Sequence, residues 1–358
     1  MSEFGMIDHN GTRDSLFANQ DSARSKYAAV ILAGGDGVRL SSFTRKVYGY
    51  HLPKQFCPLF EGETLLEQTM RRVSLIVRPE QTMTVLNRAH ERFYAPILGG
   101  STSAAHLVQP DNRGTAPALV CALRRLIERG HMGAVAIFPS DHYVSNDSVL
   151  MRHVSDALRA VEVSSRLTVL LGIAPDGPET EYGWIEPGAP VMATHPVLGQ
   201  INRIQRFWEK PSIDIAQDLY GRNCLWNSFI LVANPLTLLS MIARALPEMY
   251  REFSRFDSLC DAGPEQEDLE AIFGNLPSLD FSSNVVARFS AEFSVLPVTG
   301  VIWSDLGEPR RLLAAISSGG SQRDRIFGGN QHVPTIQSLT NRSIPERNGR
   351  SKASQDRR

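Results

Sequence analysis

Ala28-Ala29-Val30-Ile31-Leu32-Ala33-Gly34-Gly35-Asp36-Gly37-Val38-Arg39-Leu40 passes from an unbroken apolar run into three glycines and an arginine, and Leu52-Pro53-Lys54-Gln55-Phe56 follows within one loop. The apolar segment from Tyr27 to Ala33 is too short for a typical helix and lacks polar alternation, so it reads as a strand buried on both faces. Gly34, Gly35 and Gly37 are expected to turn the backbone with positive φ and let it approach a ligand closely. Converging amides of such a turn can bind an anion. Arg39 as a fork and Lys54 as a point charge would add side-chain cations, and the sum is a polyphosphate cradle. A dinucleotide fingerprint fits less well because its third glycine is missing, and no Gly-Lys-Ser/Thr marks a P-loop. The glycines alone would also fit an ordinary strand-to-loop turn.

Composition sets outer limits. The 358 residues are 42% hydrophobic, enough for one large or two small domains. A net charge of -1 gives no global reason to expect nucleic acid or an acidic membrane as partner. Cys57, Cys121, Cys224 and Cys260 are scattered without a Cys-x-x-Cys pair, which argues against a disulfide framework or a structural zinc site and for a reducing compartment. With no spanning apolar run and no signal pattern, a cytoplasmic protein is expected. Whether it forms a homo-oligomer is left open.

Along the chain, residues 1–26 read as a flexible lead-in, 27–317 as one domain, and 318–358 as a disordered basic tail. Strand, turn and helix alternate. A helix with Thr64 as N-cap follows Gly62, Met83-Thr84-Val85-Leu86 reads as a strand, and Arg88 to Leu98 as a short helix. His106-Leu107-Val108 reads as a further strand that ends at Gln109-Pro110-Asp111-Asn112-Arg113-Gly114-Thr115, with Thr115 expected to cap the next helix. Such alternation implies an α/β fold: a Rossmann-like, mostly parallel sheet with helices on both faces and its ligands beyond the carboxyl ends of the strands. Ala134-Val135-Ala136-Ile137-Phe138-Pro139-Ser140-Asp141-His142 ends another buried strand in an acid, and Asp141 there could face a phosphate-bound Mg²⁺ or simply cap a helix. Glu179-Thr180-Glu181-Tyr182-Gly183-Trp184-Ile185, Glu209-Lys210-Pro211, Trp226-Asn227-Ser228-Phe229 and Trp303-Ser304-Asp305-Leu306-Gly307 complete the motif set.

Taken in order, these motifs resemble the signature of the sugar-1-phosphate nucleotidyltransferases, most closely the mannose-1-phosphate guanylyltransferases, in patches from about Tyr27 to Leu313. The resemblance implies the GT-A-like fold of nucleotide-diphospho-sugar transferases, Mg²⁺ as cofactor, and an NTP (GTP favoured by Gln55) with mannose 1-phosphate as substrates. It implies nucleotide contacts from Ala33, Gly34, Gly35, Gly37, Gln109, Gly114 and Thr115, and metal ligation by Asp141 and Asp305. Gly183, Glu209, Lys210 and Asn227 would hold the sugar phosphate, with the aromatics beside Gly183 walling that pocket. Arg39, Lys54 and Lys210 would neutralise charge as the sugar phosphate attacks the α-phosphorus and pyrophosphate leaves, a reaction needing no general base.

Two positions depart from the family. Val38 stands where a threonine is usual, and Phe229 where a glycine follows Asn-Ser. Both leave room for rival readings: a regulatory subunit that binds nucleotide sugar without turnover, or a nucleotidyltransferase for another sugar or base. Neither a β-helix nor an isomerase domain is visible in the sequence, so a monofunctional protein is expected.

Overall fold

The computed structural model describes residues 26–60, 62–99, 105–191, 200–254, 266–307 and 311–312. The expected basic tail, and the lead-in up to residue 25, lie outside them.

The strands are β1 Ala28–Leu32, β2 Pro58–Phe60, β3 Glu63–Thr64, β4 Thr82–Asn87, β5 Ala105–Gln109, β6 Val135–Pro139 and β7 Tyr143–Val144, then β8 Thr168–Ile173, β9 Gly183–Pro190, β10 Asn202–Glu209, β11 Leu225–Ala233, β12 Ser294–Val298 and β13 Trp303–Ser304. Nine of them form one sheet in the order β5-β4-β1-β6-β11-β8-β12-β10-β9. Parallel pairing joins β5, β4, β1 and β6, and again β8 and β12. Strands β11 and β10 run against their neighbours, so the sheet is mixed while most of its strands share one direction.

The helices are α1 Ser41–Tyr48, α2 Leu65–Val73, α3 Glu91–Leu98, α4 Thr115–Glu128 and α5 Asp147–Val163, followed by α6 Ile213–Gly221, α7 Pro235–Ala245, α8 Pro247–Ser254 and α9 Gln266–Asn275. Because side chains alternate across a strand, β1 feeds two cores. Ala29 and Ile31 pack on one face with Leu66 of α2 and Val154, Leu158 and Val161 of α5. Ala28 and Val30 pack on the other with Leu119 and Leu123 of α4 and Leu238 and Ile242 of α7. A strand covered on both faces must be apolar throughout, which is why β1 shows no alternation.

Thr64 caps α2 as expected, with its hydroxyl accepting from Glu67 N and the Glu67 carboxylate accepting from Thr64 N, a reciprocal capping box. Thr115 does not cap α4. Gly114 is the N-cap, at φ 86°, and Thr115 lies inside the helix, where its hydroxyl donates to Asp280 and accepts from Phe281 N. The cap role passes to glycine because a Cβ at residue 114 would sit 2.4 Å from the Leu279 carbonyl oxygen.

Candidate active site

The carboxyl ends of β1, β5 and β6 open onto a cleft of about 580 Å³. Gly34, Gly35, Gln109, Gly114, Thr115 and Asp141 all line it, so loops far apart in sequence meet where the α/β topology puts a ligand. Ala33 and Gly37 do not line it. The Ala33 backbone is taken up by Val85 and Gln55, while Gly37 seats the next loop: at φ 61°, a Cβ there would lie 2.8 Å from Lys54 N.

Of the three loop glycines only Gly37 has positive φ. Gly34 and Gly35 are not left-handed, contrary to expectation. The loop is held from outside instead, for the Gln55 side-chain amide donates to the carbonyls of Ala33 at 3.0 Å and Gly35 at 2.7 Å. Asp36 holds its other side, accepting from Asn112 Nδ2 at 2.8 Å and lying 3.2 Å from His90 Nε2. Asn112 in turn accepts from Gly114 N at 3.0 Å, which ties the glycine loop to the Gln109–Thr115 segment. The motif reading passed over Asp36 and Asn112. Their signal was an acceptor inside a glycine turn opposite an amide side chain, visible only once the two loops are known to touch.

Charge gathers at the next step. Lys54 is 4% exposed, lies 2.9 Å from Asp141 Oδ2 and donates to the Asp305 backbone carbonyl. The ribbon of β7 and β13 explains the convergence of the two acids. It pairs Ser304 with Tyr143, so Asp305 arrives beside the Asp141-His142 turn. Burial disfavours the Asp305 carboxylate, but Lys54, His142, the Gly307 N–H and Arg39 outweigh it and bring its pKa down to about 2. Burial likewise opposes ionisation of Asp141, and Lys54 and His142 still keep it below the ordinary carboxylate range. Both acids are therefore ionised at neutral pH. His142, to which the motifs assigned no role, lines the cleft with its ring edge-on to Trp303, and burial pulls its pKa to about 4.

Among the described residues no group of three or more His, Cys, Asp or Glu could hold a metal ion. Asp141 and Asp305 offer a pair of ionised oxygen donors, and Mg²⁺ commonly takes only one or two protein carboxylates beside phosphate and water. The donor set therefore fits that ion. Arg39 lies 3.0 Å from Asp305 Oδ2 and 3.8 Å from Glu181, so it is paired with acids rather than free over the loop.

Gly183, Glu209 and Asn227 come together. Gly183 is paired with Glu209 across β9 and β10, and a Cβ on it would lie 3.1 Å from Glu209 Oε2 and 3.3 Å from Asn227 Cβ. Burial, then Asp280, raises the Glu209 pKa against the pull of Lys210. Lys210 is exposed at the end of β10 with its backbone at φ 46°. The aromatics beside Gly183 do not wall an open pocket. Tyr182 is 5% exposed and Trp184 0%; both rings lie edge-on to Trp226, and the Trp184 indole N–H donates to the Glu179 carbonyl at 2.7 Å.

Phe229 does line the cleft. It stands at φ 60° in a bulge of β11, where the register against β8 shifts between Asn227 and Leu231. Asn227 Oδ1 accepts from Phe229 N at 3.0 Å and Ser228 Oγ from Ile230 N at 3.2 Å, so two side chains satisfy the backbone that the bulge frees. Since β11 runs against β6, its early residues lie at the carboxyl edge of that strand, which delivers Phe229 and Asn227 to the site. Lys210, Phe229 and Leu306 all hold left-handed backbone without being glycine, and all three adjoin candidate site residues.

A family model described as nucleotidyl transferase matches residues 28–320. The chain is 30% identical over 294 residues to xanthan biosynthesis protein XanB of Xanthomonas campestris pv. campestris (strain B100), covering 79% of this chain and 58% of that protein. It is 28% identical over 284 residues to a mannose-1-phosphate guanylyltransferase of Escherichia coli, covering 78% and 57%. It thus spans little more than half the length of these relatives. A Thermus thermophilus crystal structure described as mannose-1-phosphate geranyltransferase matches with a TM-score of 0.69 at 29% identity, over 82% of this chain and 79% of that one.

Proposed function

Because this chain belongs to the nucleotidyl transferase family, we propose that it joins an NTP to a sugar 1-phosphate and releases pyrophosphate, with GTP and mannose 1-phosphate as the favoured pair. The observation that carries the reading is the meeting of the glycine loop, the Gln109–Thr115 segment and Asp141 around one cleft, with the buried Lys54 ammonium 2.9 Å behind Asp141. Gln55 and the names of the relatives favour the guanylyl branch.

In this reading the triphosphate lies on Gly34 and Gly35, and Gln109 and Gly114 take the base, the amide as both donor and acceptor. Gly183, Glu209 and Asn227 hold sugar hydroxyls; Asn227 Nδ2 is the part of that side chain left for a ligand once Oδ1 has bonded the bulge. Lys210 seats the incoming phosphate. That phosphate is already an anion, so the protein's work is alignment and charge neutralisation by Arg39, Lys54 and Lys210. Asp141 and Asp305 would hold Mg²⁺, which when bound supplies charge neutralisation on the phosphate oxygens. The buried free thiols of Cys57, Cys121 and Cys224 support a reducing, cytoplasmic setting. Among the described residues no helix is long and apolar enough to cross a membrane.

The test is a panel of the four NTPs against several sugar 1-phosphates, read as pyrophosphate release with Mg²⁺. Turnover highest with GTP and mannose 1-phosphate supports the proposal, and preference for another pair corrects its specificity. Nucleotide binding without release for any pair would make the chain a binding subunit.

A further inference from the structure

Beyond the residues that the motifs pick out, Arg311 is bound closely to the same centre. Its Nη1 donates to Asp305 Oδ1 at 3.0 Å, its Nη2 donates to Glu179, and its guanidinium lies 4.2 Å from the centre of the Tyr182 ring. Asp305 Oδ1 also accepts from Gly307 N at 2.8 Å, while its Oδ2 takes Arg39. Both oxygens of this acid thus carry a guanidinium. A divalent cation needs one of them open.

The two arginines differ in freedom. The Arg39 side chain is 47% exposed, and a polyphosphate on the glycine loop can draw it away from Asp305. Arg311 is 13% exposed, held by an aromatic floor and a second acid, and has no such outlet. We infer that Arg311 is a positioning residue that closes Asp305 Oδ1 permanently, leaving Oδ2 as the oxygen a divalent cation can reach and Arg39 as the group that must leave first. The protein without nucleotide therefore binds the cation weakly, and bound triphosphate opens the site by taking Arg39. This inference rests on the reading of Asp141 and Asp305 as the metal pair.

Mn²⁺ titration followed by electron paramagnetic resonance tests it without recourse to activity. Wild-type protein without nucleotide is expected to bind Mn²⁺ weakly and to bind it tightly with GTP. Arg311→Gln, which opens Oδ1 and removes a neighbouring positive charge, should bind Mn²⁺ about tenfold tighter without nucleotide. Arg311→Met, which keeps an apolar stem on Tyr182, should do the same, and Arg311→Lys should return affinity toward wild type. A residue needed only for folding would lower the melting temperature of these variants without raising metal affinity. Unchanged Mn²⁺ affinity in folded Arg311→Gln and Arg311→Met, with wild type still binding Mn²⁺ in the presence of GTP, overturns the inference alone. If wild type binds no Mn²⁺ even with GTP, the metal reading fails and the inference falls with it.

Discussion

Lys54 joins Asp141 at 2.9 Å and reaches the backbone of Asp305, so one buried ammonium bridges two acids that stand far apart in the chain. A buried cation with ionised partners is costly to break, since removing one member leaves the others unpaired in a medium that solvates them poorly.

Lys54→Met keeps the volume of the stem and deletes the charge. Pyrophosphate release is expected to fall at least about a hundredfold, the scale seen when one preorganised charge-stabilising donor is lost. The far-ultraviolet circular dichroism spectrum should stay close to wild type. Full retention of rate in a folded variant would remove Lys54 from the proposed chemistry.

Gln55 makes a different contribution, because its amide hydrogens hold two carbonyls of the glycine loop. Gln55→Glu replaces that donor by an anion facing the same carbonyls. The loss of two hydrogen bonds, with carbonyls left unmatched, is expected to cost about 2–4 kcal/mol, read as a lower urea midpoint. Nucleotide affinity should fall along with it. An unchanged midpoint would show that the loop keeps its shape without Gln55.

The fold was legible to the extent that it follows from local pattern. The unbroken apolar run of β1 implied cover on both faces, and the acids and glycines at strand ends implied a cleft at the carboxyl edge. What escaped depended on partners distant in sequence. Thr115 looks like a helix cap until Leu279 is seen pressing on Gly114, and only the structure shows that Asp280 claims its hydroxyl. Tyr182 and Trp184 look like pocket walls until Trp226 is placed against them. Arg311 lies beyond the last recognised motif, and nothing local to it points at Asp305.

Stability should decline on the acid side through histidines that the fold keeps neutral. Burial lowers the pKa of His90 against the pull of Asp36, and that of His131 against its backbone contacts. Below about pH 6.5 the unfolded chain takes up protons that these rings refuse when folded, so their contribution is full above that pH and is lost as the pH falls. Urea midpoints measured from pH 7.5 down to about 5 should therefore decrease. The double variant His90→Gln, His131→Gln should show a shallower decrease, and an identical slope would assign the acid sensitivity to other groups.

Phe229 occupies left-handed backbone where its Cβ is strained, and its ring lies in the cleft with an edge-to-face contact to Phe281 at 6.2 Å. Two opposed effects follow for Phe229→Gly. Relief of φ 60° should stabilise the bulge by about 1 kcal/mol, while loss of the ring's packing should cost a comparable or larger amount, so the melting temperature is expected to stay level or fall modestly. Function separates the two more sharply. The ring narrows the cleft beside Thr115, Ala118 and Asp280, and Asn227, two residues before it, is the proposed sugar contact. Because the ring shares the cleft with Gln109, Gly114 and Thr115, removing it while Asn227 keeps its bond to the backbone of residue 229 should change KM for GTP severalfold, with a smaller change in KM for mannose 1-phosphate. A larger effect on mannose 1-phosphate than on GTP would mean that the ring bounds the sugar end of the site, next to Asn227, instead.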